Sequence, residues 1–223
     1  MGEGWFVTGT DTGVGKTVVS CALLHALRAR GMRAVGMKPV ASGCERTHAG
    51  LINEDVEVLL GASDPAVTRE EISIYRFEPP IAPHLAAAQA GVNIDIDAIV
   101  RRYHALVARF DAVVVEGAGG WLVPLDHARS LADLAQALAL PVVLVVGMRL
   151  GCINHALLSA ESILRRGLPL AGWVANSIDP DMACLQQNVD TLRARIEAPL
   201  LRVIPHRASA DPATVVLEPP ARH

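Results

Sequence analysis

The sequence predicts an α/β fold, a mostly parallel sheet with helices on both faces. Three observations carry this. Short apolar segments alternate with helical patterns along the chain, the segments are continuous in Val, Ile and Leu, and glycine-containing turns separate the two kinds of segment. A strand without polar alternation is buried on both faces, so helices must cover it above and below.

The strands are expected at Trp5 to Thr8, Ala34 to Lys38, Ala112 to Glu116, Val142 to Gly147, Gly172 to Asn176 and Leu200 to Ile204. Between the first two, Val19, Leu23 and Leu27 recur at helical spacing within Lys16 to Arg30, and Gly31 stops that helix. Ile99, Val100, Tyr103, Leu106, Val107 and Phe110 form one face of a second helix, which Asp95 or Asp97 would cap. Ser130 and Asp133 open a third as a capping box, and Asn154 to Arg166 form a fourth, ended by Gly167 and Pro169. The 223 residues fit one domain, 1–223, with the Pro- and Ala-containing tail 207–223 expected to pack loosely.

Composition narrows the function. Twenty Lys and Arg against 23 Asp and Glu leave a net charge of −3, and no run of five like charges occurs, so no nucleic acid is expected as partner. The most apolar stretch, Leu134 to Met148, is broken by Gln136 and Pro141 and ends at Arg149, short of the roughly 18 apolar residues of a membrane span. No secretory signal precedes Trp5, so a cytoplasmic chain without membrane contact is expected. Cys21, Cys44, Cys152 and Cys184 form no paired or metal-binding spacing and are expected as free thiols.

The segment from Trp5 to Thr17 runs from an apolar strand through a Gly-rich turn directly into a helix, the context of a phosphate-binding P-loop. Backbone N–H groups of such a turn and of the helix start converge on phosphate oxygens. Lys16 would then reach the β- and γ-phosphates, and the Thr17 hydroxyl would serve Mg²⁺, a cation that takes few protein oxygens. The pattern GxxxxGK[ST] is missed by one place, because Thr10 stands at the first glycine position and Gly9 precedes it. The fold is therefore expected to be of the P-loop NTPase type.

Three further places belong to the carboxyl edge of such a sheet, where open α/β sheets bind ligands. Glu116, at the end of an apolar strand and before the flexible loop Gly117-Ala-Gly-Gly120, resembles a Walker B acid with Glu in place of Asp. Lys38, before Pro39 and the small loop Val-Ala-Ser-Gly43, would face the phosphate loop unless it is an ordinary surface lysine. Asp55 heads an apolar helical stretch, where an acid also serves simply as a helix-dipole partner. Asn176 presents the donor and acceptor that adenine requires, or else terminates its strand as a turn residue.

The segments Gly9-TDTGVGKT17, Lys38-PVASG43, Glu116-GAGG120, Leu150-GCIN154 and Gly172-WVAN176, in this order, resemble the dethiobiotin synthetases of biotin biosynthesis along nearly the whole chain, leaving out the tail after His206. The resemblance implies a MgATP-dependent ring closure in which 7,8-diaminononanoate and CO2 become dethiobiotin, with ADP and phosphate released. It implies Thr17, Asp55 and Glu116 as Mg²⁺ ligands, directly or through water, and Lys16 and Lys38 as the catalytic pair of charges. It places phosphates on Gly13, Val14, Gly15, Lys16, Thr17 and Val18 and on Glu116, Gly117, Ala118 and Gly119. Asn176, Ser177, Pro205 and His206 correspond to adenosine contacts, and Thr12 and Ser42 to contacts of the diamine or its carbamate. It further implies a homodimer, in which Leu150, Gly151, Cys152 and Asn154 reach the partner subunit's site. Gly13 departs from relatives that carry Glu there, which removes any side-chain role at that position.

Two other readings share parts of this pattern. A switch ATPase of the partition or septum-positioning kind has the same sheet and loop but carries a second lysine early in the loop, and Gly9-Thr-Asp-Thr12 has none. An ATP-dependent amidoligase of cofactor biosynthesis would bring a glutamine-hydrolysing domain, and neither reading accounts for Lys38 with Ser42.

Overall fold

The structure, a computed structural model, describes residues 2–206 and 212–220. From the amino end the elements are β1 (Glu3–Gly9), α1 (Lys16–Ala29), β2 (Ala34–Met37), β3 (Val40–Ser42), β4 (Glu45–Thr47), β5 (Gly50–Ile52), α2 (Glu54–Ala62), α3 (Arg69–Ile72), β6 (Tyr75–Phe77), α4 (Pro83–Gln89), α5 (Ile96–Val107) and β7 (Ala112–Gly120). They continue with α6 (Leu131–Leu138), β8 (Val142–Met148), α7 (Cys152–Arg165), β9 (Leu170–Ser177), α8 (Leu185–Arg195) and β10 (Leu200–Ile204), before a 3₁₀ turn at Pro212–Thr214.

Six strands form one parallel sheet in the order β10-β9-β8-β1-β7-β2. Phe6 and Val7 of β1, Val113 to Val115 of β7 and Val142 to Val146 of β8 have no exposed surface, as continuous apolar strands require. The strand neighbours of β1 on its two sides come from later in the chain, so a crevice opens at its carboxyl end, where the phosphate loop begins. Local signals fix the helices around it. Asp95 caps α5 by accepting from the Asp97 amide at 2.9 Å, and Asp133 closes the box at α6 by accepting from the Ser130 amide at 2.7 Å.

The structure departs from expectation at several points. The glycines after Glu116 are strand rather than flexible loop: β7 runs on to Gly120, which pairs with Gly9 of β1 after a register shift. Glu116 is thus held mid-strand. Lys38 lies one residue beyond β2, and its amide donates to the Ile72 carbonyl at 2.9 Å. Within the tail, Leu217 is buried and the turn Pro212–Thr214 lies against α1, so this part is packed onto the body. Residues 207–211 and 221–223 of the tail lie outside the described residues. The four cysteines are free, and Cys21, Cys44 and Cys152 are buried.

Between β2 and β7 the chain builds a small second layer over the sheet edge. β3 pairs in parallel with β6, setting Ser42 opposite Phe77, while β4 and β5 form a hairpin beside them. On the other side of the phosphate loop, space is tight: a Cβ on Gly147 would come within 2.6 Å of Val14 Cγ1 and 2.7 Å of Ile178 Cδ1. Gly147→Ala is therefore expected to destabilise by about 1–3 kcal/mol through overpacking. A melting temperature unchanged within experimental error would show that Val14 and Ile178 yield freely.

Candidate active site

The phosphate loop joins β1 to α1 and owes its shape to two glycines in the left-handed region, Gly13 at φ 73° and Gly15 at φ 88°. At Gly15 a side chain is also excluded by space, since its Cβ would lie 2.2 Å from Asn176 Nδ2. Three ties set the inner part of the loop. The Thr10 amide donates to the Val145 carbonyl at 2.9 Å, the Gly147 amide to Thr10 Oγ1 at 3.3 Å, and Asn176 Nδ2 to the Val14 carbonyl at 2.8 Å. Asn176 thus spends one of its two N–H donors on the loop and keeps the other N–H and Oδ1 free of it.

Lys16 opens α1, and its ammonium donates to the Asp11 carbonyl at 3.0 Å. It is 6% exposed; burial pulls its pKa down to about 8, Lys38 adds to that pull, and Glu116, Asp55 and Asp11 oppose it. One residue on, Thr17 Oγ1 donates to Glu116 Oε1 at 2.9 Å.

Lys38 forms the centre of the site. Its ammonium is 2.6 Å from Asp55 Oδ2 and 2.6 Å from Glu116 Oε1, and the side chain is almost wholly buried. Burial works against the charge, but Glu116 and Asp55 outweigh it and hold the Lys38 pKa above the usual lysine value. Burial likewise pushes the Asp55 carboxyl up, and Lys38 overrides it, leaving the Asp55 pKa below the carboxylate norm. Two cations and two anions, Lys16, Lys38, Asp55 and Glu116, meet here.

Asn53 brings two parts of this site together. As the cap of α2 it accepts from the Val56 amide at 3.3 Å, and its Nδ2 donates to the Ser42 carbonyl at 3.2 Å. The first turn of α2, with Asp55, is thereby tied to Ser42, which ends β3 where a small loop was expected, because pairing with β6 draws Val40 to Ser42 into a strand. Opposite, the Gly43 and Cys44 amides donate to the Pro79 and Phe77 carbonyls at 3.1 and 2.9 Å, which seats the chain from Pro80 to Pro83 as an apolar wall.

These parts enclose a cavity of about 620 Å³. Of the residues expected at a site, Thr12, Gly13, Gly15, Lys16, Thr17, Val18, Lys38, Ser42, Asp55, Glu116, Ala118 and Gly119 line it. Gly117 does not, because β7 alternates its faces and a Cβ there would meet Phe6 at 3.4 Å beneath the sheet. Val14 does not either; its side chain is buried while its carbonyl anchors Asn176. Asn176, Ser177, Pro205 and His206 gather separately, at the ends of β9 and β10, where His206 Nδ1 lies 3.1 Å from the Ser177 carbonyl.

Leu150, Gly151, Cys152 and Asn154 do not line this cavity. Leu150 is 96% exposed, whereas the Cys152 side chain is buried and its amide donates to the Arg149 carbonyl at 3.0 Å, so Cys152 cannot offer its thiol to a substrate. Sequence reasoning missed the wall at Pro80, Ile81, Ala82, Pro83 and Val123. The run Pro79-Pro80-Ile81-Ala82-Pro83 was the available signal, a rigid segment that cannot continue a strand.

The residues fit a divalent cation. Glu116 Oε2 is buried without a hydrogen-bond partner, and the Thr17 hydroxyl and Asp55 carboxylate are near it through Glu116 Oε1 and Lys38. Among the described residues no cluster of three or more His, Cys, Asp or Glu occurs, so a fully protein-built cage is not on offer. Two carboxylates and a hydroxyl, with phosphate and water completing the shell, match the preference of Mg²⁺.

Comparison with known proteins identifies the family. The AAA domain family model matches residues 3–214. The ATP-dependent dethiobiotin synthetase BioD of Nitrosospira multiformis is 56% identical over 212 residues, covering 95% of this chain and 92% of that protein. That of Aromatoleum aromaticum is 54% identical over 213 residues, covering 95% and 94%. Among solved structures, a cell division ATPase MinD from Pyrococcus furiosus aligns at TM-score 0.56 with 21% identity, covering 92% of this chain and 84% of that one. A ParA family ATPase from Chlorobium tepidum aligns at 0.57 with 13% identity, covering 93% and 86%. The two structures share the fold alone, whereas the relatives share more than half of their residues along nearly the full length, and the chain belongs to the ATP-dependent dethiobiotin synthetase family.

Proposed function

We propose that this chain is a dethiobiotin synthase, closing the cyclic urea of dethiobiotin from 7,8-diaminononanoate, CO2 and ATP. The observation that carries the reading is Lys38, buried against Asp55 and Glu116 in the same cavity as Lys16, Thr12 and Ser42. A carbamate and a triphosphate are both anionic, and bringing one to the other requires fixed positive charge in a site shielded from water.

In this reading the loop amides and Lys16 hold the β- and γ-phosphates. One amine of the diamine takes up CO2 as a carbamate, which Thr12 and Ser42 position; the buried, partnerless Ser42 Oγ has a hydroxyl to give. The carbamate oxygen attacks the γ-phosphorus, the bond to the ADP oxygen breaks, and Lys16 and Lys38 balance the charge spread over the transferred group. The second amine then attacks the carbamoyl carbon, phosphate departs, and the ring closes. Thr17, Asp55 and Glu116 would hold Mg²⁺, which when bound would supply charge neutralisation at the phosphates. Asn176, Ser177, Pro205 and His206 face adenosine, and the Pro80 to Pro83 wall suits the aliphatic chain of the diamine.

A homodimer accounts for the outward Leu150–Asn154 turn. Leu122, Leu150, Leu158 and Leu164, three of them on or beside α7, are more than half exposed, and a second copy would cover them and receive that turn in its site. No helix among the described residues is long and apolar enough to cross a membrane, and a cytoplasmic setting keeps the four unpaired cysteines reduced. The decisive experiment offers the purified protein ATP, bicarbonate, Mg²⁺ and the diamine; dethiobiotin and ADP should form in equal amounts. ATP hydrolysis without dethiobiotin would favour the switch ATPase instead.

Lys16 gives a pH dependence of defined sign. Its folded-state pKa of about 8 lies below the ordinary 10.5, so between the two the unfolded chain holds a proton that the folded chain has released. Its contribution to stability therefore rises with pH across that window. Affinity for MgATP runs the other way and should fall as pH climbs through about 8, where the ammonium is lost. Lys16→Ala should lack this step and lose roughly 100-fold in kcat, with its melting temperature within a few degrees of the parent. A folded variant with near-normal turnover would remove Lys16 from the reaction.

The metal assignment is checked by Thr17→Val and Glu116→Gln. Both should raise the Mg²⁺ concentration needed for half-maximal activity, and dependence matching the parent in both would end it. Lys38 separates from Lys16 by what it touches. Lys38→Gln should bind MgATP nearly as well as the parent by calorimetry while single-turnover phosphoryl transfer collapses, because the loop amides and Lys16 still hold the nucleotide. A loss of ATP affinity as large as that of Lys16→Ala, with normal chemistry at saturation, would make Lys38 a nucleotide ligand.

A further inference from the structure

The outer turn of the phosphate loop, Asp11 to Gly13, projects towards solvent, with Thr12 and Gly13 exposed and nothing within 4 Å of where a Gly13 Cβ would stand. On its inner side it rests against Gly119 and Gly120 of β7, which have no side chains to grip it, and its polar ties run through Asp11. Its Oδ1 accepts from the Thr12 amide at 2.7 Å, its carbonyl accepts the Lys16 ammonium at 3.0 Å, and its Oδ2 is paired with the Arg149 guanidinium. Asp11 thus joins the two loop residues with the clearest work to do, Thr12 and Lys16, to a residue 138 positions away.

Arg149 is well placed to be the fixed end of this chain of contacts. It follows β8 directly, and its carbonyl receives the Cys152 amide at 3.0 Å, so its backbone is gripped between a fully buried strand and the first turn of α7. The same strand already holds the inner loop, through the Val145 carbonyl and the Gly147 amide. Arg149 extends that rail to the outer turn. Nothing in the phosphate-loop pattern calls for it.

We propose that Arg149 is a positioning residue of the phosphate loop: by pairing with Asp11 it sets the outer turn that presents Thr12 and Lys16, and so raises affinity for a nucleoside triphosphate without touching it. This rests on the reading of the loop as the nucleotide site. The pair is half exposed on both sides, 44% and 46%, so its effect is modest in size and distinctive in sign.

Two mechanisms are separable by charge. If Arg149 acted only through its field, removing its positive charge would weaken triphosphate binding and removing the negative charge of Asp11 would strengthen it. If it acts through Asp11, both removals weaken binding.

The test is MgATP affinity by calorimetry on Arg149→Met, Asp11→Asn and the double variant, with kcat and KM for ATP measured beside it. Each single variant should weaken binding about two- to five-fold, an effect of the size exposed pairs give. The double variant should be no worse than the weaker single, because both changes break one contact. Arg149→Lys should recover most of the affinity, and kcat at saturating ATP should stay within twofold. Hydrogen exchange at the Thr12 amide should quicken alike in Arg149→Met and Asp11→Asn. Tighter binding in Asp11→Asn, losses that multiply in the double variant, a fall in kcat with affinity intact, or no change in affinity would each overturn the proposal. A parent protein that binds no MgATP would defeat the nucleotide reading itself, a result distinct from all of these.

Discussion

A lysine ammonium buried without a touching anion loosens its hold on the proton, as Lys16 does, whereas Lys38 keeps its charge by meeting two anions at 2.6 Å. Much of the architecture around the cavity follows from assembling that group. Glu116 must stand mid-strand in β7, where the sheet fixes its backbone, because it has no exposed surface and a loop would let it escape to water. Asp55 must arrive from another layer, on the first turn of α2, which Asn53 both caps and ties to Ser42 at the end of β3. Thr17 then shares Glu116 Oε1 from the start of α1. Thr17 and Lys38 thus share one carboxylate oxygen of β7, and Asp55 joins them through Lys38.

Such a cluster is a poor source of stability, since the desolvation of buried ions offsets most of their attraction. The sheet supplies what the cluster does not. Its strands are buried along their whole length in β8 and nearly so in β1 and β7, and that apolar surface is what allows a charged group to be held at its edge. The consequence is a division within β7: Ala112 to Val115 are apolar core, and Glu116 beyond them carries the charge.

That division explains what could be read from the sequence. The six sheet strands were legible because continuous Val, Ile and Leu runs leave little choice of element, and Lys16, Thr17 and Glu116 were legible because they stand at fixed offsets from those runs. Most of the shorter elements were not, although α5, with its apolar face and Asp95 cap, was. β3, β4, β5 and β6 are three residues each, too short for any period to show, and α8 buries only Val189 and Leu192 against an otherwise polar sequence. Gly117 to Gly120 suggest a loop by composition, and only pairing of Gly120 with Gly9 makes them strand. The Arg149–Asp11 contact joins two exposed residues of ordinary type across 138 positions, and no local pattern announces such a pair.

This sheet is shared with solved ATPases, so the fold by itself does not decide the chemistry. A phosphate loop at the end of β1 fixes where a triphosphate can lie, and any protein of the fold inherits that placement. What the γ-phosphoryl group meets is set by whatever the chain builds opposite. Here the connection from β2 leads first to Lys38, then to Ser42 on β3, then to Asp55 on α2, and returns through β6 to the wall at Pro80 to Pro83. This layer puts a second cation, a hydroxyl, an acid and an apolar surface across the cavity from the loop amides. An acceptor that is anionic at the reacting end and aliphatic behind it matches that order of surfaces, and a protein surface or a polymer backbone does not. The specificity of the site therefore lies in the segment whose secondary structure the sequence shows least.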